Sequence, residues 1–173
     1  MSLNPDTIRI AGIVRESIVD GPGIRFVVFA QGCPHRCKGC HNEATHDFLA
    51  GSECETEKII SEIEKARLIS GVTFSGGEPF SQPDGFLKLA EKLKEKNIHI
   101  IVFTGYTYEE LIELQEKQES IRKLLDNIDI LIDGRFIWEK RDLTQQFKGS
   151  LNQRYIDMNA TRERGSLVVL ENL

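Results

Sequence analysis

The sequence predicts an α/β fold: a partial, open, parallel β/α barrel of about five or six strands, folded as a single domain over residues 1–173. Three observations predict it. Short apolar runs of strand character alternate with stretches whose apolar residues recur at helical spacing, which is the pattern of βαβ units. Four turn-rich segments each follow the C-terminal end of a strand, the edge where parallel α/β folds gather ligands. A complete eight-stranded barrel takes about 250 residues, and the chain has 173.

The elements follow in order. Residues 7–14 begin with apolar alternation and read as a strand. Asp20-Gly21-Pro22-Gly23 is a turn, and residues 24–30 are a nearly continuous apolar run, as in a strand buried on both faces. Residues 43–55 are polar and irregular. A helix is expected from Thr56 as N-cap, with Glu57 in its first turn and Ile59, Ile63 and Ala66 on one face, flanked by Ile60 and Ile69. Residues 72–74 form a short strand ending in Ser75-Gly76-Gly77-Glu78-Pro79. Ser81 to Asp84 resembles a capping box with Pro83 in the first turn, opening a helix that turns Phe86, Leu89, Ala90 and Leu93 inward. Residues 98–103 are the next strand, ending in Thr104-Gly105. Thr107 and Glu110 make a second capping box, before a helix with Leu111, Ile112 and Leu114 on one face. After a break near Gln118, residues 121–125 form a short helix and 128–132 a strand closed by Asp133-Gly134. Residues 154–158 and 167–170 read as short strands.

Composition narrows the function. The chain is 40% hydrophobic and 28% charged, ordinary for a soluble protein, with 22 basic and 27 acidic residues and a net charge of −5. A general nucleic-acid binder needs a basic footprint, so direct nucleic-acid binding is not expected. No apolar run reaches the ~18 residues of a membrane span. Residues 1–6 lack the basic-then-apolar pattern of a signal peptide, so a cytoplasmic location is expected.

The chemistry centres on Gln31-Gly32-Cys33-Pro34-His35-Arg36-Cys37-Lys38-Gly39-Cys40-His41-Asn42, where three cysteines stand at C-x3-C-x2-C spacing. Soft thiolates converging on one place select zinc, copper(I) or an iron–sulfur cluster. Structural zinc normally takes four protein ligands, which His41 or the distant Cys54 would have to complete, and simple electron-transfer clusters take four cysteines. A [4Fe–4S] cluster on Cys33, Cys37 and Cys40 leaves one iron open to a small molecule. The spacing by itself leaves zinc and iron–sulfur both open. Gly76-Gly77-Glu78-Pro79 suits a charged ligand: two glycines let backbone groups approach closely, Glu78 offers an anionic acceptor for an ammonium, and Pro79 stiffens the exit. Read without its context, the same tetrapeptide is a plain strand-to-helix turn.

Together the cysteine loop and the following G-G-E-P turn resemble the radical S-adenosylmethionine (SAM) superfamily. Within it the chain is most similar to the activating proteins of the anaerobic ribonucleoside-triphosphate reductase. The similarity rests on Asp20-Gly21-Pro22-Gly23-Ile24-Arg25, the stretch from Gln31 to Asn42, Ser75 to Pro79, and Gly149-Ser150-Leu151-Asn152-Gln153-Arg154. Most members of the superfamily carry an aromatic residue before the third cysteine. Gly39 departs from that rule, as the activating-protein family does.

The resemblance implies a radical-SAM-type partial barrel and two cofactors, a [4Fe–4S] cluster on Cys33, Cys37 and Cys40 and SAM on the open iron. It implies catalysis by reductive cleavage of SAM, with a glycyl radical formed on the large reductase subunit and a one-electron donor such as flavodoxin or ferredoxin. By position, Gly76, Gly77 and Glu78 hold the methionyl amino group and Thr104 contacts SAM. Asp133 reaches the ribose or amino group of SAM, or else caps its own turn. Asn152 and Gln153 contact the cofactor, line the partner groove or satisfy local backbone. His41 and the two tyrosines Tyr106 and Tyr108 are expected to pack, and Cys54 to be a bystander. Two readings keep the chemistry and change the substrate: a pyruvate formate-lyase-type activase, or an enzyme like the 7-carboxy-7-deazaguanine synthases. A zinc-binding interaction module is the alternative from another class.

Overall fold

The computed structural model describes residue 4 and residues 6–173. The reading of the N-terminus as free of a signal peptide therefore falls partly on residues 1–3 and 5, outside the described residues. Among the described residues the chain order is β1 (Thr7–Ser17), β2 (Arg25–Ala30), β3 (Ser52–Glu55), α1 (Thr56–Lys65), β4 (Gly71–Gly76), α2 (Pro83–Glu95), β5 (Ile100–Phe103), α3 (Tyr108–Gln115), α4 (Glu119–Asp126), β6 (Ile130–Asp133), β7 (Arg154–Asp157), α5 (Met158–Arg164) and β8 (Val169–Leu170). No helix among them is long and apolar enough to cross a membrane.

All eight strands join one open sheet in the order β3-β1-β2-β4-β5-β6-β7-β8. The expectation of about five or six parallel strands needs correcting. Only β2, β4, β5 and β6 pair in parallel, and β1, β3, β7 and β8 are added at the two sides through antiparallel pairs. The physical reason is connection length. β1 turns straight into β2 through residues 18–24, and so short a link permits only an antiparallel pair, whereas β4, β5 and β6 are each reached across a helix.

Alternation along the parallel strands separates two faces. Phe26, Val28, Val72, Phe74, Ile100, Val102 and Leu131 join residues of all five helices, among them Ile59, Phe86, Leu89, Leu111, Leu124 and Met158, in one buried core. Full burial of side chains such as Phe86 or Leu89 contributes roughly 1.5–3 kcal/mol each. On the other face Ile101, Ile132 and Tyr155 form a smaller cluster with Phe103 and Phe147. The helices thus cover one face, and the other is left to loops and cavities.

Besides helix α5, which is not expected from the sequence, local details depart from sequence expectation in three places. Residues 52–55 are a strand, held by the ladder Thr7↔Glu55 to Ile10↔Ser52. Thr56 is the first helical residue rather than the N-cap: its N–H and hydroxyl both donate to the Asp6 carbonyl. Gln82, not Ser81, caps α2, and it makes no side-chain cap bond because its amide accepts from Arg9 N–H and donates to the Arg9 and Gln31 carbonyls. The Thr107–Glu110 capping box forms as expected.

Candidate functional site

The register of the parallel strands brings their ends to one edge. Ala30 lies beside Gly76, Phe74 beside Val102, and Phe103 beside Ile132. The cysteine loop, the Gly76–Gly77 turn, Thr104-Gly105 and Asp133-Gly134 therefore emerge together. A cavity of about 140 Å³ opens there, and Cys33, Cys37, Cys40, Gly76, Gly77 and Thr104 all line it. A larger cavity of about 530 Å³ shares Cys40, Asn42, Ser75, Phe103, Phe136 and Gln153 with it and continues toward Val19 and Asp20.

The two glycines are required by backbone contact. Gly76 sits at φ +89°, and a Cβ there would lie 2.8 Å from the backbone of Ala30. A Cβ on Gly77 would overlap the Gly32 carbonyl. Gly77 N–H donates to Ala30 and Glu78 N–H to Gly32, so the turn is stitched to the start of the cysteine loop. With no side chain at either position, this wall of the cavity is backbone.

The cysteine loop is held from behind. Gln31, buried, donates to the Ala44 and Asp47 carbonyls, Gly32 N–H to Thr45 and Cys33 N–H to His46. Burial pushes the Cys33 thiol up in pKa, and the nearby backbone N–H groups of His35 and Arg36 pull the other way. Cys40 is also raised by burial and receives the Asn42 N–H at 3.4 Å. Gly39, at φ +73°, lies against Trp138, whose ring occupies the space a Cβ would need. Among the described residues no three His, Cys, Asp or Glu side chains stand close enough to hold a single metal ion. The three thiols line one cavity without closing a single-ion site among the described residues. His41 packs against Phe136, with ring centroids 5.8 Å apart, and Cys54 lies on β3, partly buried against the main core.

Two expected ligand groups are occupied. The Glu78 carboxylate is fully buried and accepts from Phe80 N–H, Thr104 Oγ1, Gly105 N–H and His35 Nε2. Asp133 accepts from Tyr108 N–H and from Arg154 through Nε and Nη2, and faces a separate cleft lined by Thr107, Glu109 and Arg135. Its neighbour Gly134, rather than Asp133 itself, lines the cysteine cavity. Gln153 also lines it, while its amide holds the backbone of Gly134, Gly149 and Ser150.

Residues 19–156 match the family model of the 4Fe-4S single cluster domain. The anaerobic ribonucleoside-triphosphate reductase-activating protein of Vibrio cholerae is 37% identical over 144 residues, covering 79% of this chain and 89% of that protein. Its counterpart from Haemophilus influenzae is 35% identical over the same coverage. The chain belongs to this activating-protein family. The pyruvate formate-lyase-activating enzyme of Clostridium pasteurianum is also similar, at 36% over 127 residues, but the match covers 53% of that enzyme.

Seen as a member of the family, the chain carries site residues that sequence reasoning passed over. His35, Gln31 and Gln82 are polar side chains that organise the cavity from behind. Phe103 and Phe136 are its apolar walls. A polar ring between two cysteines and a glycine at residue 105 to receive it were the available signals for His35.

Proposed function

We propose that the protein is a radical SAM activase. In this reading it holds a [4Fe–4S] cluster on Cys33, Cys37 and Cys40 and binds SAM against Gly76 and Gly77. It then generates a glycyl radical on the large subunit of the anaerobic ribonucleoside-triphosphate reductase. The observation that carries the reading is the single cavity shared by the three cysteines, the two glycines and Thr104. The residues fit the group: three soft donors line one cavity, and a wall of bare backbone lies beside them. When bound, the cluster with its SAM supplies one-electron cleavage of the sulfonium, giving methionine and a 5′-deoxyadenosyl radical that takes hydrogen from a glycine Cα.

The chain's own residues do the rest. The backbone of Ser75 to Gly77 offers polar groups to the amino and carboxylate ends of SAM. Glu78 holds that turn and the Thr104-Gly105 turn in fixed relation instead of ion-pairing with the ligand, and Thr104, its hydroxyl bonded to Glu78, lines the cavity. Asp133 fixes Gly134 from outside. Phe103 and Phe136 exclude water from the reacting space. The larger cavity past Cys40 and His41 admits a chain segment of the reductase, and the helix-free face of the sheet is read as the interior of a radical-SAM-type partial barrel. A flavodoxin or ferredoxin would donate the electron, and a reducing cytoplasm suits the three thiols. The substrate reading favours the ribonucleotide reductase over pyruvate formate-lyase because the similarity spans nearly the whole of the former's activating proteins and about half of the latter's.

The test is anaerobic reconstitution with iron and sulfide, reduction, and addition of SAM and the reductase. A brown protein, 5′-deoxyadenosine and a glycyl-radical EPR doublet on the reductase are expected, and Cys37→Ala abolishes all three. A colourless, zinc-loaded protein that leaves SAM intact overturns the reading.

A further inference from the structure

Among the described residues, the segment between Cys33 and Cys37 is held by one side-chain tether. The His35 side chain is 4% exposed, and its Nε2 lies 2.8 Å from Glu78 Oε2. Every other partner of the Glu78 carboxylate is a donor, so Nε2 carries the proton and donates. The ring stands edge-on to Tyr106 at 4.5 Å between centroids, and the absent side chain of Gly105 makes its slot, since a Cβ there would overlap the imidazole. The next residue, Arg36, has φ +47°, a left-handed conformation uncommon for a residue with a side chain. That turn leaves the N–H groups of His35 and Arg36 close to the Cys33 sulfur. The pieces form one chain of contacts: Glu78, fixed by the turns after β4 and β5, holds His35, and His35 holds a strained backbone whose two N–H groups lie close to a sulfur.

We infer that His35 is a positioning residue: by donating to Glu78 it keeps the loop in its left-handed turn, so that the backbone N–H groups of His35 and Arg36 are held ready to donate to the Cys33 sulfur when that sulfur is a ligand. This rests on the proposed function, because the consequence is electronic only when Cys33 ligates a cluster. Hydrogen bonds to cluster-ligating sulfur stabilise the more negative, reduced state and raise its potential. An unwound loop loses them, and the potential moves negative. His35 need touch neither cluster nor SAM.

The test compares wild type, His35→Ala and His35→Gln, all reconstituted anaerobically without SAM, by iron content and an EPR-monitored redox titration. The expected result is full iron content in all three. His35→Ala then has a midpoint potential shifted negative, and His35→Gln, whose amide can still donate to Glu78, stays near wild type. Full loading with an unshifted potential in His35→Ala overturns the inference. A parallel measurement needs no cluster: amide exchange in the apoprotein. The backbone N–H groups of His35 and Arg36 should exchange at least about tenfold faster in His35→Ala and at the wild-type rate in His35→Gln. Unchanged exchange overturns the inference even if the alanine variant loads poorly. A wild-type protein that takes up no cluster, with exchange behaving as expected, rejects the proposed function and the electronic consequence while leaving the mechanical link standing.

Discussion

At the two ends of its parallel strands the molecule buries two ions of opposite sign by the same device. At the C-terminal end Glu78 is surrounded by two backbone N–H groups, a hydroxyl and an imidazole. At the N-terminal end Arg25, 1% exposed, donates through Nε to Thr73 Oγ1 and through Nη2 to the carbonyls of Val72 and His99. Among the described residues, neither group has a Lys, Arg, Asp or Glu side chain within hydrogen-bonding distance. Burial lowers the Arg25 pKa to about 10, with Asp129 pulling it back up. Each ion ties neighbouring strands together. The ends differ in what surrounds the ion. At the bottom, Gly71 leaves a space that the Arg25 guanidinium fills. At the top, Gly76 and Gly77 let backbones close together and a cavity remains beside them. Buried charge therefore does not mark the site in this fold. Unfilled space lined by thiols and bare backbone does.

The largest effect on stability should come from the bottom. Arg25→Met removes the donors to Thr73, Val72 and His99 and loosens the packing over Gly71. Leaving such buried acceptors short should cost about 2–4 kcal/mol, read as a lower urea midpoint with an unchanged slope. Cluster uptake by the molecules that remain folded should be unaffected. A large loss of iron per folded chain from Arg25→Met would break the division between the two ends.

A methyl group sharpens the comparison further. Gly77→Ala drives a Cβ into the Gly32 carbonyl, and backbone cannot step aside as a flexible side chain can. Overpacking of this kind costs about 1–3 kcal/mol, and here it also pushes the turn away from the cysteine loop. SAM affinity, measured on reconstituted protein by equilibrium dialysis, should fall at least tenfold, because the backbone wall of the cavity has moved. Gly71→Ala meets Arg25 and the His99 carbonyl. It should lower the urea midpoint comparably and leave SAM affinity within about twofold of wild type, as expected of a site that couples only to stability. Equal losses of affinity from both would show that the two ends are not separate.

How much of this was legible in the sequence follows the range of the interactions. That Cys33, Cys37, Cys40, Gly76 and Gly77 line one cavity could be read because each motif is local and the strand–turn rhythm says where it must lie. The Thr107–Glu110 cap was read for the same reason. Glu78 was expected as an acceptor for the ligand, and Asp133 as a ligand group or the cap of its own turn; a sequence shows a carboxylate without showing that Thr104 and His35, or Arg154, bond to it. The strand 52–55 and the cap at Gln82 were missed because their partners lie far along the chain, at Thr7 to Ile10 and at Arg9 and Gln31. Arg25 could be read only as part of a motif: nothing local says that a charged residue at the head of an apolar strand turns inward. Helix α5 was missed because its apolar content is slight and its signals are the Asp157 cap, accepting from Ala160 N–H, and Gly165 at φ +67°.

The smallest effect is a pH dependence that belongs to the bottom alone. His99 is held below its usual pKa of 6.5, mainly by burial and further by the Arg25 and Lys94 charges, against the opposing pull of Asp129. Its Nδ1 lies 3.3 Å from Arg25 Nη1, so a proton there would set two cations side by side. Below pH 6.5 the unfolded chain takes up a proton on this histidine that the folded chain refuses until its own lower pKa is reached. The contribution to stability is therefore complete above about pH 6.5 and is lost as the pH falls through the window beneath it. Urea midpoints taken from pH 7.5 down to 5.5 should decline in wild type. They should decline less in His99→Asn, which keeps a polar side chain beside Arg25 and cannot be protonated there. Apoprotein throughout keeps the cysteine cavity out of the measurement. Parallel slopes for the two proteins would mean that Arg25 and His99 do not share the bottom of the sheet as the geometry has it, and that the acid sensitivity lies elsewhere, with Asp129 as the next group to replace.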